Sequence, residues 1–331
     1  MNSKNLKILA AIAIVLIAIV TVMQFRGDDS ISSGDLLFPD LKSNINSIDS
    51  VTVTRAGTDG ITEINKDSDS WTIASRDGYP VSVGALRQLL LQLADAKLVE
   101  QKTSSPDRYH QLGVREPNIE GSKGVRLTLS GPEVGYELIV GNMAQTGYRY
   151  VRIADDAQSW LIDQDPRIPD SVGDWLVKDI IDIKSADIRS VTIHHADGEE
   201  IRISKESAES TDFDVVDIPD GRELSYATVA NGIANVLNAL TLDDVRKAAE
   251  SNAGTVTTTF ESFDGSTIVV VTDNSDTDSW ISITASRNAE GSPGAEIMDR
   301  VAGWQFKIPE YKANQLTRRW ADILKAEAET D

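Results

Sequence analysis

Two stretches of this chain, residues 48–100 and 188–245, follow one pattern, and that duplication constrains the fold more than any other feature. In the first, Ile48, Val51 and Val53 open a strand, residues 71–74 add another, and Ser82 begins a helical run through Leu86, Leu90 and Leu93. In the second, Ile188, Val191 and Ile193, then residues 213–216, then Ser225 with Val229, Ile233 and Val236 repeat the order. The pairs Ser82/Ser225, Leu86/Val229, Leu90/Ile233 and Leu93/Val236 are each 143 positions apart. The same spacing relates Asp179, Ile180 and Ile181 to Asp322, Ile323 and Leu324, each set near a tryptophan (Trp175 and Trp320) and read as a closing helix. Trp160 and Trp304 fall at matching last-strand positions, and duplicated aromatics point to core packing before ligand binding.

Period-two alternation marks strands with one buried face at 48–54, 61–65, 71–75, 98–102, 125–129, 136–140, 148–153 and 159–162. Those of the second half fall at 188–194, 201–204, 213–216, 255–263, 267–272, 279–285 and 304–308. Helical spacing follows Ser82 and Ser225, and a helix is expected from Pro169 through Trp175 to Ile181. The pattern predicts an α+β fold with antiparallel sheets and packed helices. With 331 residues, two domains of ordinary size can each bury a core. The expected division is 1–26 as cytoplasmic tip and transmembrane anchor, 27–47 as tether, 48–184 as first repeat and 185–331 as second. Within the tether, the apolar run Leu36, Leu37, Phe38 and Leu41 reads as a plug against the edge of the first unit.

The anchor is read from residues 8–25, an uncharged run with only Thr21 and Gln24 polar. At about 1.5 Å per residue such a run reaches most of the way across a hydrocarbon core of roughly 30 Å. Lys4 and Lys7 precede it, and Asp28 and Asp29 follow soon after Arg26, which places the N-terminus in the cytoplasm and the remainder outside. A cleaved signal peptide is disfavoured, because the residues before Arg26 are bulky. The net charge is −20; residues 1–26 hold three positive charges and no acids, so the rest carries −23. A body this acidic repels phosphate backbones, and nucleic acid is excluded as a partner.

Chemistry is harder to find. The chain has no cysteine, which removes disulfides, thiolate nucleophiles and zinc ribbons together. Of its three histidines, His194 and His195 are neighbours on a strand and point to opposite faces, so they cannot share a metal. His110 stands without a serine elbow or a second histidine at useful spacing and reads as a loop residue. The Gly121-Ser122-Lys123-Gly124 run lacks phosphate-loop spacing, and residues 273–279 lack the glycine and distal glutamate of a calcium loop. The acid pairs Asp155/Asp156 and Asp243/Asp244 are no more than a chain with 52 acids would hold by chance. No cofactor, metal or catalytic residue is assigned. Tyr79, Tyr109, Tyr148 and Tyr150 are the candidate partner or ligand contacts.

With these motifs in hand, the chain resembles the bacterial "domain of unknown function 4340" family. The resemblance is carried by the 36–41 plug, Trp71 with the 76–81 run, residues 99–103, Pro106, Tyr109 and the 112–114 run, residues 150–152, residues 158–161, and Trp320 with the 322–324 run. It implies a single-pass protein associated with ABC-type permeases and gliding-motility-type transporter components, and it carries over no catalytic residue. The resulting expectation is a non-enzymatic inner-membrane protein with tandem periplasmic domains, an accessory or scaffold of an ABC-type transporter or envelope complex. Two alternatives stand beside it: a carboxylate-dependent polysaccharide hydrolase, which needs a cleft with two facing acids about 5 to 9.5 Å apart, and a passive glycan-binding module, which needs exposed tyrosines on one face.

Overall fold

The computed structural model describes residues 32–57, 60–68, 70–248, 255–273, 278–286 and 293–326, the side chains of 293–296 excepted. The fold is α+β, two large antiparallel sheets with few helices. Among the described residues no helix is long and apolar enough to cross a membrane; the expected anchor at residues 8–25 lies outside them.

The first sheet has nine strands: β1 (Ser50–Thr54), β2 (Ile61–Asp67), β3 (Ser70–Ile73), β4 (Tyr79–Pro80), β5 (Leu98–Gln101), β6 (Val125–Ser130), β7 (Gly135–Gln145), β8 (Tyr148–Ile153) and β9 (Ser159–Ile162). Their order is β4-β3-β2-β1-β6-β7-β8-β9-β5. A two-stranded ribbon pairs β10 (Asp179–Ile181) with β14 (Leu240–Thr241). The second sheet holds β11 (Ile188–His194), β12 (Glu200–Ser204), β13 (Asp214–Val216), β15 (Asp244–Lys247), β16 (Val256–Ser262), β17 (Thr267–Asp273), β18 (Trp280–Ala285) and β19 (Trp304–Lys307), ordered β13-β12-β11-β16-β17-β18-β19-β15. Apart from β4, the two sheets run in the same sequence of strands. Alternation explains each strand: Val51 and Val53, and likewise Val191 and Ile193, are at most 1% exposed, while their neighbours face outward.

The longest helix among the described residues, Val83–Asp95, buries Leu86, Leu89, Leu90 and Leu93 on a single stripe. Its counterpart is cut to Val229–Ala234. Asn231, Gly232 and Asn235 are weak helix formers, and Gly232 sits where a Cβ would lie 3.0 Å from Gln315. The expected apolar stripe survives: Val229, Ile233, Val236, Leu237 and Leu240 are all at most 4% exposed. Lys312, buried on the helix Glu310–Leu316, donates to the carbonyls of Asn235, Val236 and Asn238 at 3.2, 2.8 and 2.8 Å, satisfying acceptors that helix continuation would have paired.

Two expectations need correction at the ends of the halves. The segment after Pro169 is not a helix through Ile181: a single turn, Val172–Trp175, gives way to extended chain and β10. Nor does the 143 spacing hold there. The Ser82 amide donates to the Trp175 carbonyl and Leu176 bridges Val81, whereas the Ser225 amide donates to Ile323 and Leu324 bridges Leu224. Leu176 therefore matches Leu324, and the likeness of residues 179–181 to 322–324 is fortuitous. Trp160, which faces Val151, likewise corresponds to Phe306, which faces Ile281, and not to Trp304. Strand-to-strand hydrogen bonds fix these equivalences, and loop insertions that shift the count leave no mark in a periodic pattern.

The buried side chains form one continuous cluster from Leu37 to Leu324, running through both sheets, with a satellite of Tyr109, Val114 and Ile139. The plug is part of it: Leu37, Phe38 and Leu41 are 2%, 8% and 0% exposed, and Gly34 and Leu37 donate to the Leu98 and Ala96 carbonyls.

Candidate functional site

A polar concavity between the halves lies at a seam where β15 of the second sheet meets the turn after β3. Arg76 leaves a one-turn helix, Ala74–Arg76, whose exit residue Asp77 is left-handed at φ 52°. Its guanidinium grips Asp244 in a two-pronged pair, Nε to Oδ1 at 2.6 Å and Nη2 to Oδ2 at 2.9 Å. Gly173 permits the close approach, since a Cβ there would lie 2.2 Å from the Asp243 carbonyl. A cleft of about 340 Å³ opens beside the pair, lined among others by Arg55, Thr62, Asp170, Asp243 and Lys307. Arg55 donates to the Pro169 carbonyl at 2.8 Å, and burial holds its guanidinium below its ordinary value. Lys307 pairs with Asp278 at 2.8 Å; that hydrogen bond, with nearby acids, raises its ammonium.

Beneath the pair, Tyr79 crosses the seam. Its ring stands edge-on to Trp304 with centroids 5.0 Å apart and to Phe306 at 6.3 Å. Burial pushes its phenol up to about 12, against a smaller opposing pull from Arg300. At 3% exposure it offers nothing to a partner, which corrects the expectation that it is a contact residue.

Tyr109 is corrected in the same way. The loop after β5 folds over the outer face of the first sheet, and Tyr109, 8% exposed, donates to the Ala157 carbonyl at 2.6 Å. Arg152 stacks on its ring at 4.9 Å and reaches Glu116 Oε1 at 2.6 Å, the Val114 carbonyl at 3.2 Å and the Asp156 carbonyl at 3.0 Å. Arg126 joins Glu116 to Glu137, completing a network of two arginines and two glutamates. Tyr150 is half-buried against this cluster, with the Lys102 ammonium 5.8 Å from its ring, and Tyr148 is half-buried at the end of β8. Tyr79 and Tyr109 are thus buried, which weakens the support for a glycan-stacking face, while Tyr148 and Tyr150, two apart on β8, stay part-exposed. Rings of this size are drawn into packing wherever backbone geometry allows it.

The histidines are separated. His110 is exposed, its Nδ1 2.7 Å from the Asp107 carbonyl; His194 is exposed; His195 is 2% exposed and its Nε2 lies 3.0 Å from the Arg318 carbonyl. Among the described residues no cluster of three His, Asp or Glu side chains is placed to hold a metal ion. Residues 274–277 of the acidic hairpin lie outside the described residues. Of the acid pairs, Asp244 is committed to Arg76. Among the described residues, hydrogen bonds that stabilise the anion hold the carboxyls of Asp174, Asp197 and Glu261 below their ordinary values. Sequence reasoning missed the buried cations Arg152, Lys205 and Lys312, because long cationic side chains ordinarily read as surface.

Comparison with known proteins adds one relation. No curated protein and no solved structure matches the chain. A family model described as "Domain of unknown function (DUF4340)" matches residues 71–258, more than half of the chain, from within β3 to the start of β16 and so across both sheets and the Arg76–Asp244 pair. The chain belongs to the DUF4340 family.

Proposed function

We propose that this protein is a non-enzymatic, single-pass inner-membrane protein with two tandem β-rich repeats in the periplasm, serving as an accessory or scaffold of an ABC-type transporter or envelope complex. The observation that carries the reading is the uncharged run at residues 8–25, with lysines before it and aspartates after it. The position of the first described residues supports it. Ser32 begins a segment that lies along the edge of β5, with Ser33 Oγ donating to the Val99 carbonyl at 2.5 Å. Only five residues, 27–31, separate Arg26 from Ser32, a span of at most about 22 Å even when fully extended. The body would stand close to the membrane, within reach of the outer loops of a neighbouring permease. The polar groups that could suggest catalysis serve packing: Arg76 and Asp244 close the seam, and Arg152 and Glu116 pin a loop.

Purification of the full chain in mild non-ionic detergent tests the role. Recovery with a permease or ATPase subunit is the expected result, and recovery as a lone monomer argues against it. Protease added to spheroplasts tests the topology, since the acidic body should be degraded; a body left intact, or a mature chain starting after Phe25, removes the anchor.

A further inference from the structure

One corner of the fold is built differently in the two halves. In the first sheet the turn joining β6 to β7 closes with the Gly131 amide donating to the Val134 carbonyl; in the second, Ser262 donates to Ser266 across the turn joining β16 to β17. Val134 therefore corresponds to Ser266. Tyr136 faces Leu129 as Ile268 faces Phe260, and Leu129 and Phe260 in turn face Val51 and Val191, so Tyr136 corresponds to Ile268. In the first half this corner is filled. Val134 and Tyr136 pack on the core, the Phe38 ring from the 36–41 plug lies 5.1 Å from the Tyr136 ring, and Asn44 donates to the Tyr136 hydroxyl at 3.1 Å.

In the second half the smaller Ser266 and Ile268 leave a cavity of about 440 Å³. Ile183, Ile268 and Ile297 form its apolar floor, and Phe263 stands at the lip, 37% exposed. Asp182, Asp187 and Asp264 line it as well. The hydroxyl of Ser266, a residue only 5% exposed, has no hydrogen-bond partner among the described residues. An open apolar hollow and acid groups around it are two separate marks of a site awaiting an occupant.

We propose that this cavity of the second sheet receives a bulky apolar side chain from a basic segment of a partner protein, seated as Phe38 is seated on Tyr136 in the first. Shape comes from the internal comparison: the same corner accepts a phenylalanine from the bent Leu-Phe-Pro run at 37–39 when one is supplied in cis. Charge comes from the aspartates, which attract a segment carrying Lys or Arg and repel an acidic one or an anionic lipid surface. The proposal rests on the reading of the protein as a partner-binding accessory and names the chemistry of the partner.

The probe is a fluorescein-labelled peptide, Lys-Lys-Leu-Phe-Pro-Lys-Leu-amide, titrated by anisotropy with the full-length protein in uncharged detergent. Saturable binding is expected, weakened at least tenfold when the peptide's Phe is replaced by Ser and at least threefold by Asp187→Lys. Ile268→Trp, which fills the cavity, and Ala208→Trp, which obstructs its exposed lip without altering the core, should each abolish it; the second keeps the test valid if the first misfolds. Equal binding of the Ser peptide means charge attraction alone and overturns the proposal, as does undiminished binding by Ala208→Trp. Absence of saturable binding overturns it too, and if Ala208→Trp then turns a self-associated wild-type protein into a monomer, the occupant is a second copy of this chain. These results do not depend on which complex co-purifies, so failure of the peptide and failure of the transporter association are told apart.

Discussion

Replacing Tyr79 by Ala should weaken both sheets together. The ring is 3% exposed and meets Trp304 and Phe306 across the seam, while its hydroxyl lies 3.3 Å from the Val177 carbonyl. Truncating a buried aromatic to Ala typically costs about 3–5 kcal/mol through lost transfer energy and the cavity left behind. The edge-on ring pairs, worth about 0.5–1.5 kcal/mol each, place Tyr79 in the upper part of that range. Tyr79→Phe keeps the ring and should cost only about 1 kcal/mol, the value of one long hydrogen bond. Urea unfolding in mild detergent, followed by tryptophan fluorescence, provides the measurement. Trp71, Trp160 and Trp175 report on the first half and Trp280, Trp304 and Trp320 on the second. One coincident transition shifted by several kcal/mol is the expected result, because the buried cluster is continuous. A loss under about 1 kcal/mol, or two transitions already separate in the wild type, would refute the argument that the seam is core.

Three further outcomes follow from the same packing. The Tyr79 phenol is raised in the folded state to about 12, so its contribution is intact below the ordinary value near 10 and fades between those values; stability should fall over that alkaline window, and Tyr79→Phe should flatten the fall in a pH series of urea midpoints. Arg152→Met leaves Glu116 with Arg126 alone and the Val114 and Asp156 carbonyls unpaired, and should cost about 3 kcal/mol; Glu116→Gln should cost less, and the double variant less than the sum, as a double-mutant cycle would show. Phe38→Ala should cost about 3 kcal/mol and expose residues 36–41 to limited proteolysis, whereas a silent variant would make the plug a loose tether.

Much of the fold was legible in the sequence, because strands and buried stripes are periodic. Val51, Val53, Val191 and Ile193 alternate, and Leu86, Leu90 and Leu93 recur at helical spacing, as one-sided burial requires. The second helix failed at its length: a stripe at Val229, Ile233 and Val236 states which residues are buried, but not that Lys312 from a distant helix would take over the carbonyls. Closing helices read from an apolar pattern at 172–181 proved to be one turn and a strand, since short apolar runs fit either. Tyr79 and Tyr109 proved buried, because exposure is a property of neighbours.

The amino-acid order by itself determined the fold class, the acidic body, the family and the repetition of strand and helix patterns, all of which depend on composition and local period. Only the tertiary structure decided that Leu176 corresponds to Leu324, that Tyr79 is sealed against Trp304, and that a corner filled by Phe38 in one half stands open in the other. Those facts depend on which residues meet across long stretches of chain. A pairing between distant segments has no period, so nothing along the chain announces it.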